Sequence, residues 1–151
     1  MASEIQQNFI IETKIMAAAA NHPWPDYAAC EAALESNFGR SGLAIKANNL
    51  FGMKAHAGTS ANQILELPTQ EVVDGKWIDT MASWMKYPTY EECFVDRLLT
   101  LQRLRWEYPN YDIALKSPTG PGFVINVSKT WSTDPLRAAK VLGIYKEFFQ
   151  Q

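Results

Sequence analysis

The dipeptide Asp74-Gly75 constrains the fold more than any other feature of the sequence. It stands between two strand-like runs, Ile64 to Val73 and Lys76 to about Ala82. Asp-Gly suits a two-residue type I′ turn, because both central positions of that turn need positive φ. A turn of that length places Val73 opposite Lys76 and Glu71 opposite Ile78. The patterns on either side are helical. Ser3 and Gln6 have capping-box spacing at the start of a first helix, Ile5, Phe9, Ile11, Ile15 and Met16 give it a broad apolar face, and Asn21-His22-Pro23 closes it. A second helix starts around Pro25 or Asp26, runs through small residues to Leu34 and stops near Gly39. Arg40 to Ala61 reads as a polar loop with one apolar island, Leu50-Phe51. Thr89 and Glu92 open a helix with Phe94, Leu98, Leu101 and Leu104 on one side, ending before Pro109. A loop from Ser117 to Gly122 precedes a short segment from Phe123 to Lys129. Asp134-Pro135 reads as an N-cap followed by an N1 proline, opening a last helix to Phe149. The expected class is α+β, mainly α, with one small hairpin.

Composition narrows the functional classes. A chain of 151 residues with 47% hydrophobic residues suits one domain with a real core, residues 1–151. Fourteen basic and sixteen acidic residues leave a net charge of -2, without the positive field of a general nucleic-acid binder. No run approaches the roughly 18 apolar residues of a membrane span, and Met1-Ala2-Ser3-Glu4 lacks the positive start of a secretion signal. The expectation is a soluble chain with neither membrane insertion nor a nucleic-acid partner. Cys30 and Cys93 lie in helical patterns of small or apolar neighbours and read as buried free thiols. His22 and His56 are isolated, so no metal site or cofactor is expected.

Among the carboxylates, Glu35 stands out. It sits near the end of a small, apolar helix, where partial burial and the negative end of the helix dipole both disfavour its charge. An acid that keeps its proton near neutral pH is what glycosidic cleavage requires, since the leaving oxygen must be protonated. Position alone also fits a surface glutamate at a fraying helix end.

The neighbouring motifs favour the first reading. Leu34-Glu-Ser-Asn-Phe-Gly-Arg-Ser41 is followed by Ala47-Asn-Asn-Leu-Phe-Gly-Met-Lys54, then Tyr87-Pro-Thr-Tyr-Glu-Glu92, then Trp131-Ser-Thr-Asp-Pro135. These four blocks, in this order, resemble the glucosaminidase family of peptidoglycan hydrolases, glycoside hydrolase family 73. The resemblance implies a lysozyme-like fold: a helical lobe, a small β-hairpin lobe and a sugar-binding cleft between them. It implies hydrolysis of β-1,4 bonds in bacterial peptidoglycan glycan strands by an endo-β-N-acetylglucosaminidase, with Glu35 as general acid. Glu71, four residues before Gly75, matches the family glutamate ahead of the hairpin turn; the other hairpin carboxylates are Glu66, Asp74 and Asp79. Glu71 would activate water or stabilise the reacting sugar, or else polarise an attacking N-acetyl group of the substrate. Asn49, Phe51, Lys54, Tyr87, Tyr90 and Trp131 fall in the matching blocks as candidate sugar contacts. Asn48 and Asn49 also suit loop-tying, and the aromatic residues also suit the core. Trp131 stands where the family usually has tyrosine, and Arg137 where many members have another. An N-acetylmuramidase or lytic transglycosylase on the same fold, or a wall-binding module without chemistry, are the alternatives. Wall access would follow phage-type release or dedicated export.

Overall fold

Helices occupy most of the chain because caps and prolines start them where the sequence places such residues. The computed structural model describes residues 2–150. Helix α1 spans Glu4–Ala19, α2 Pro25–Ser36, α3 Gly42–Ala47, α4 Tyr90–Leu104, α5 Pro109–Leu115, α6 Gly120–Trp131 and α7 Arg137–Phe149. Strands β1 (Ile64–Val73) and β2 (Lys76–Met85) form one antiparallel hairpin. The class is the expected one: mainly helical α+β with a single hairpin among the described residues. The Ser3 capping box is complete, with Ser3 Oγ accepting from the Gln6 N–H and Gln6 Oε1 accepting from the Ser3 N–H. Thr89 Oγ1 accepts from the Glu92 N–H at the start of α4.

Helix α2 is the axis of the molecule. Ala28, Ala29, Cys30, Glu31, Ala32, Ala33 and Ser36 are all buried, so this helix is enclosed almost all round. Its alanines join Phe9, Ile10, Leu50, Phe51 and Phe94 in one apolar cluster. Cys30 on its other side joins Leu101, Phe123, Val124, Val127 and Val141 in a second. Both cysteines are free and buried, and burial pushes each thiol up to about 12. They are inert packing groups.

Several details depart from the sequence expectations. The buried stripe of α1 is Phe9, Ile10, Thr13 and Ala17, whereas Ile5, Ile11 and Ile15 are exposed. The segment expected as loop contains α3, opened by Ser41, whose Oγ accepts from the Ala44 N–H. Helix α5 starts at Pro109, and α6 starts at Gly120 because Thr119 Oγ1 accepts from the Gly122 N–H. Strand β2 runs to Met85. Its last residues pair with Ile64 to Leu67 at the base of the hairpin, where contact with the helical lobe extends the ladder beyond Ala82. Helix α7 begins at Arg137 rather than at Pro135. Asp134 instead makes an Asx-type turn, with its Oδ1 accepting from the Leu136 N–H.

The hairpin has the register that a two-residue turn dictates: Val73 faces Lys76 and Glu71 faces Ile78, with Asp74 and Gly75 both at positive φ. Its two faces differ. Leu65, Leu67, Thr69, Thr80, Ala82 and Trp84 share one face and are half-buried, whereas Glu66, Pro68, Gln70, Asp79 and Met81 on the other face are exposed. Lys54 bridges to Trp84 at the hairpin base, joining the loop after α3 to the sheet.

Candidate active site

The block around Glu35 has a local structural logic. Helix α2 stops at Ser36, and Asn37, Phe38 and Gly39 then take positive φ in succession. Ser36 Oγ donates to the Ala32 carbonyl at 2.6 Å and accepts from the Gly39 N–H at 2.9 Å, which holds the turn. A side chain at Gly39 would meet the Phe9 ring at 2.8 Å. Serine and glycine at this spacing therefore end the helix abruptly and leave Glu35 in its last turn, with its side chain 21% exposed.

The carboxylate of Glu35 is ion-paired, a contact that acts against the burial and helix-end effects from which the sequence expects its charge to be disfavoured. Arg137 Nε donates to Glu35 Oε1 at 2.8 Å. Two further contacts fix the same guanidinium: Nη1 donates to Ser128 Oγ at 2.8 Å and Nη2 to Glu31 Oε2 at 2.9 Å. Glu31, one turn before Glu35 on α2, also accepts two bonds from Arg97, at 2.8 and 2.7 Å. Burial alone would raise the Glu31 carboxyl above its ordinary 4.5, but Arg97 and then Arg137 outweigh it and hold it at about 2. Burial alone would likewise lower Arg137, and Glu31 followed by Glu35 reverse that, so it stays charged. The Arg97 guanidinium lies 4.6 Å from the Phe51 ring centroid and 4.5 Å from that of Trp131. Its Nε has no hydrogen-bond partner and rests in this aromatic cage.

Two adjoining recesses lie beside this network. One, of about 270 Å³, is lined by Phe51, Lys54, His56, Arg103, Tyr111 and Trp131 among others. The other, of about 820 Å³, is lined by Ser128, Ser132, Thr133, Asp134 and Ala138 among others. Tyr108, Thr130 and Trp131 belong to both, so the two recesses adjoin at these residues, and the pair is termed the groove. Glu35 and Arg137 are not among the residues lining either recess; Glu35 reaches groove-lining Ser128 through the Arg137 guanidinium.

The expected sugar contacts divide. Trp131, Phe51 and Lys54 line the groove; Phe51 is buried edge-to-face against Phe94 and Trp131, and Lys54 Nζ stands 5.8 Å from the Trp84 ring. Asn49 is buried, with Nδ2 donating to the carbonyls of Met53 and Met85 and Oδ1 accepting from the Met53 N–H. Asn48 ties the same loop to the carbonyls of Tyr87 and Pro88. Tyr87 is buried, its hydroxyl bonded to Asp96; burial and then that bond push the phenol well above its usual range. Tyr90 packs edge-on against Phe9, and burial raises its phenol as well. The structure therefore brings Phe51, Lys54 and Trp131 together and directs the polar groups of Asn49 and Tyr87 into the fold.

Glu71 is exposed on β1, on the same hairpin face as Leu67 and Thr69. That is the face whose base residues are half-buried. Of its rivals, Glu66 accepts from Ser83 Oγ and Asp79 from Gln70 Nε2, both on the opposite face, and Asp74 is in the turn. No group of three or more His, Cys, Asp or Glu capable of holding a metal occurs among the described residues. No helix among them is long and apolar enough to cross a membrane.

The residues that sequence reasoning missed are Glu31, Arg97 and Ser128. Only Glu31 carries an evident local signal: one charge in the run Ala28-Ala-Cys-Glu-Ala-Ala33, on a helix too small-sided to be a surface helix.

Comparison with known proteins agrees with this architecture. The family model "Glucosaminidase: Mannosyl-glycoprotein endo-beta-N-acetylglucosaminidase" matches residues 11–150. The chain is 31% identical over 129 residues to "Exo-glucosaminidase LytG" of Bacillus subtilis (strain 168), covering 84% of this chain and 45% of that protein. It is 27% identical over 151 residues to the "Probable N-acetylmuramidase" of Lactococcus lactis subsp. cremoris (strain MG1363), covering 97% of this chain and 34% of that protein. The chain thus spans less than half the length of either curated relative. Among solved structures, the catalytic domain of the autolysin Auto from Listeria monocytogenes superposes with a TM-score of 0.81 at 27% identity, covering 98% of this chain and 86% of that one.

Proposed function

The chain belongs to the glucosaminidase family, and from that premise we propose that it is the catalytic domain of a peptidoglycan hydrolase, an endo-β-N-acetylglucosaminidase with Glu35 as general acid. The observation that carries the reading is the placing of one carboxylate at the abrupt end of a buried helix, partly exposed and held by a guanidinium that also bonds groove-lining Ser128. Sugar rings present C–H faces, and the groove offers partly exposed aromatic rings at Trp131 and Tyr108 with polar groups between them. The Glu35 proton passes to the glycosidic oxygen as the bond to the sugar carbon breaks. The hairpin carboxylate Glu71, or the substrate's own N-acetyl oxygen, meets the positive charge that develops on the sugar.

Glu71 has an exposed side chain on a two-stranded hairpin whose outer half contributes no buried residue. Such a hairpin is marginally stable on its own and free to close over bound glycan. The proposed substrate is bacterial glycan strands, and no step requires a cofactor.

Wall turbidity and product analysis test this. Wild-type protein clears a suspension of walls, and Glu35→Gln, which keeps the acceptor for Arg137 but has no acidic proton, leaves it turbid. Equal clearing by both would remove Glu35 from the chemistry. Mass spectrometry of the released fragments distinguishes the bond: reducing-end N-acetylglucosamine supports the reading, whereas reducing-end or anhydro N-acetylmuramic acid would replace it with muramidase or transglycosylase activity. Release of single sugars from chain ends would replace endo with exo cleavage.

A further inference from the structure

We propose that Arg137 is a positioning residue for Glu35, fixing Oε1 so that Oε2 is the oxygen that carries and delivers the proton. The proposal rests on the assignment of Glu35 as the acid. All three nitrogens of the guanidinium are committed: Nε to Glu35, Nη1 to Ser128 and Nη2 to Glu31. A planar fork held at three points cannot turn. Arg137 is 1% exposed, and its anchor Glu31 is itself held by both Nη atoms of Arg97. Arg97 in turn is caged by Phe51 and Trp131, which line the groove. A fixed chain of contacts therefore runs from the groove wall through Arg97, Glu31 and Arg137 to Glu35.

The single N–H of Arg137 Nε goes to Oε1, and no other hydrogen bond from the described residues reaches the Glu35 carboxyl. Oε2 accepts no hydrogen bond from the described residues and is the oxygen assigned to the substrate. In the acid form Oε1 is the carbonyl oxygen, accepting from Arg137, and Oε2 bears the proton. During cleavage the Oε2 proton moves to the glycosidic oxygen, which takes the bonding pair of the breaking carbon–oxygen bond and leaves as a hydroxyl. Glu35 becomes a carboxylate. Water then adds to the sugar carbon, and its surplus proton goes to the assisting carboxylate or to solvent. The negative charge appears on Glu35 as the bond breaks, already facing a cation that needs no rearrangement to stabilise it. Lysine would supply charge at one point but could not span Glu35, Ser128 and Glu31 together.

The test measures kcat and KM on soluble peptidoglycan oligomers for Arg137→Lys, Arg137→Ala and Ser128→Ala, with folding followed by thermal denaturation. We expect Arg137→Lys to lower kcat by roughly tenfold to a hundredfold while KM changes little, as misplacement of a reacting group does. Methylguanidinium should restore part of the kcat of Arg137→Ala, and methylammonium at equal concentration should not. Ser128→Ala removes one of three anchors and should lower kcat about two- to fivefold, an order-of-magnitude figure for loss of one hydrogen bond that only steadies the guanidinium. A folded Arg137→Lys with wild-type kcat would overturn the proposal, and so would an Arg137→Ala that methylguanidinium does not rescue. If neither Arg137 variant folds, an unchanged kcat in Ser128→Ala overturns it and a lowered kcat with unchanged KM sustains it. Failure of the acid assignment is a separate result, because it shows as activity in Glu35→Gln whatever the Arg137 variants do.

Discussion

Replacing Glu31 by glutamine should destabilise the fold by about 3 kcal/mol at neutral pH, and the loss should shrink in acid. Glu31 is fully buried and accepts three N–H bonds: one on Oε1 from Arg97, and two on Oε2 from Arg97 and Arg137. Glutamine has the same shape, but its amide nitrogen must occupy one of these positions and point N–H groups at guanidinium N–H groups. The carboxyl titrates at about 2 in the fold against an ordinary value of 4.5. That difference of about 2.5, at about 1.4 kcal/mol each, corresponds to about 3 kcal/mol. Breaking a buried ion pair from one side costs a similar amount, about 3–5 kcal/mol. Because the folded value is the lower one, the contribution is complete above pH 4.5 and is lost as pH falls towards 2, with roughly half or more gone by pH 3. Urea denaturation of both proteins at pH 7, 5 and 3 checks this. A gap of about 3 kcal/mol at pH 7 and pH 5 that narrows by at least half at pH 3 is the expected outcome. A gap below about 1 kcal/mol at pH 7, or one that does not change with pH, would refute the reasoning, since the first denies the coupling and the second denies that Glu31 ionisation carries it.

Three further outcomes follow from the same contacts. Asn49→Ala removes three hydrogen bonds, to the Met53 N–H and to the Met53 and Met85 carbonyls, of which the Met53 carbonyl keeps the Met85 N–H, so it should cost about 2–3 kcal/mol in thermal or urea denaturation. Gly39→Ala forces a Cβ to 2.8 Å from the Phe9 ring at φ +77°, and should cost about 1–3 kcal/mol in the same assay. Glu71→Gln changes an exposed side chain with no hydrogen bond among the described residues, so stability should move by less than about 0.5 kcal/mol while wall clearing slows. Unchanged clearing would remove Glu71 from the assisting role and leave it to the substrate's N-acetyl group or to another hairpin carboxylate.

Legibility in the sequence followed the range of the interaction. The Ser3 and Thr89 caps and the Asp74-Gly75 turn act over two or three residues, and the sequence expectations for them match the structure. Helix α3 is not legible in the sequence although Ser41 caps it, because only six residues follow before Asn48 turns left-handed and no apolar periodicity can develop in that length. The start of α7 is ambiguous in the sequence for a related reason: Asp134-Pro135 fits a helix start and an Asx turn equally well, and the structure has the turn, with the helix from Arg137. The candidate site is legible through Glu35, whose place at the end of a helix is a local property, and through Phe51, Lys54 and Trp131, which line the groove. The ion-pair partner of Glu35 lies 102 residues away, and Glu31 reaches Arg97 across 66. Sequence could still have exposed part of this network. A charge enclosed by alanines on α2 requires a buried counter-charge, and Arg97 stands three residues after Phe94 and four before Leu101, on the apolar side of α4. Apolar periodicity tells which face is buried. The charges that interrupt that face tell what the buried face must pair with, and here those charges lead from the core to the proposed acid.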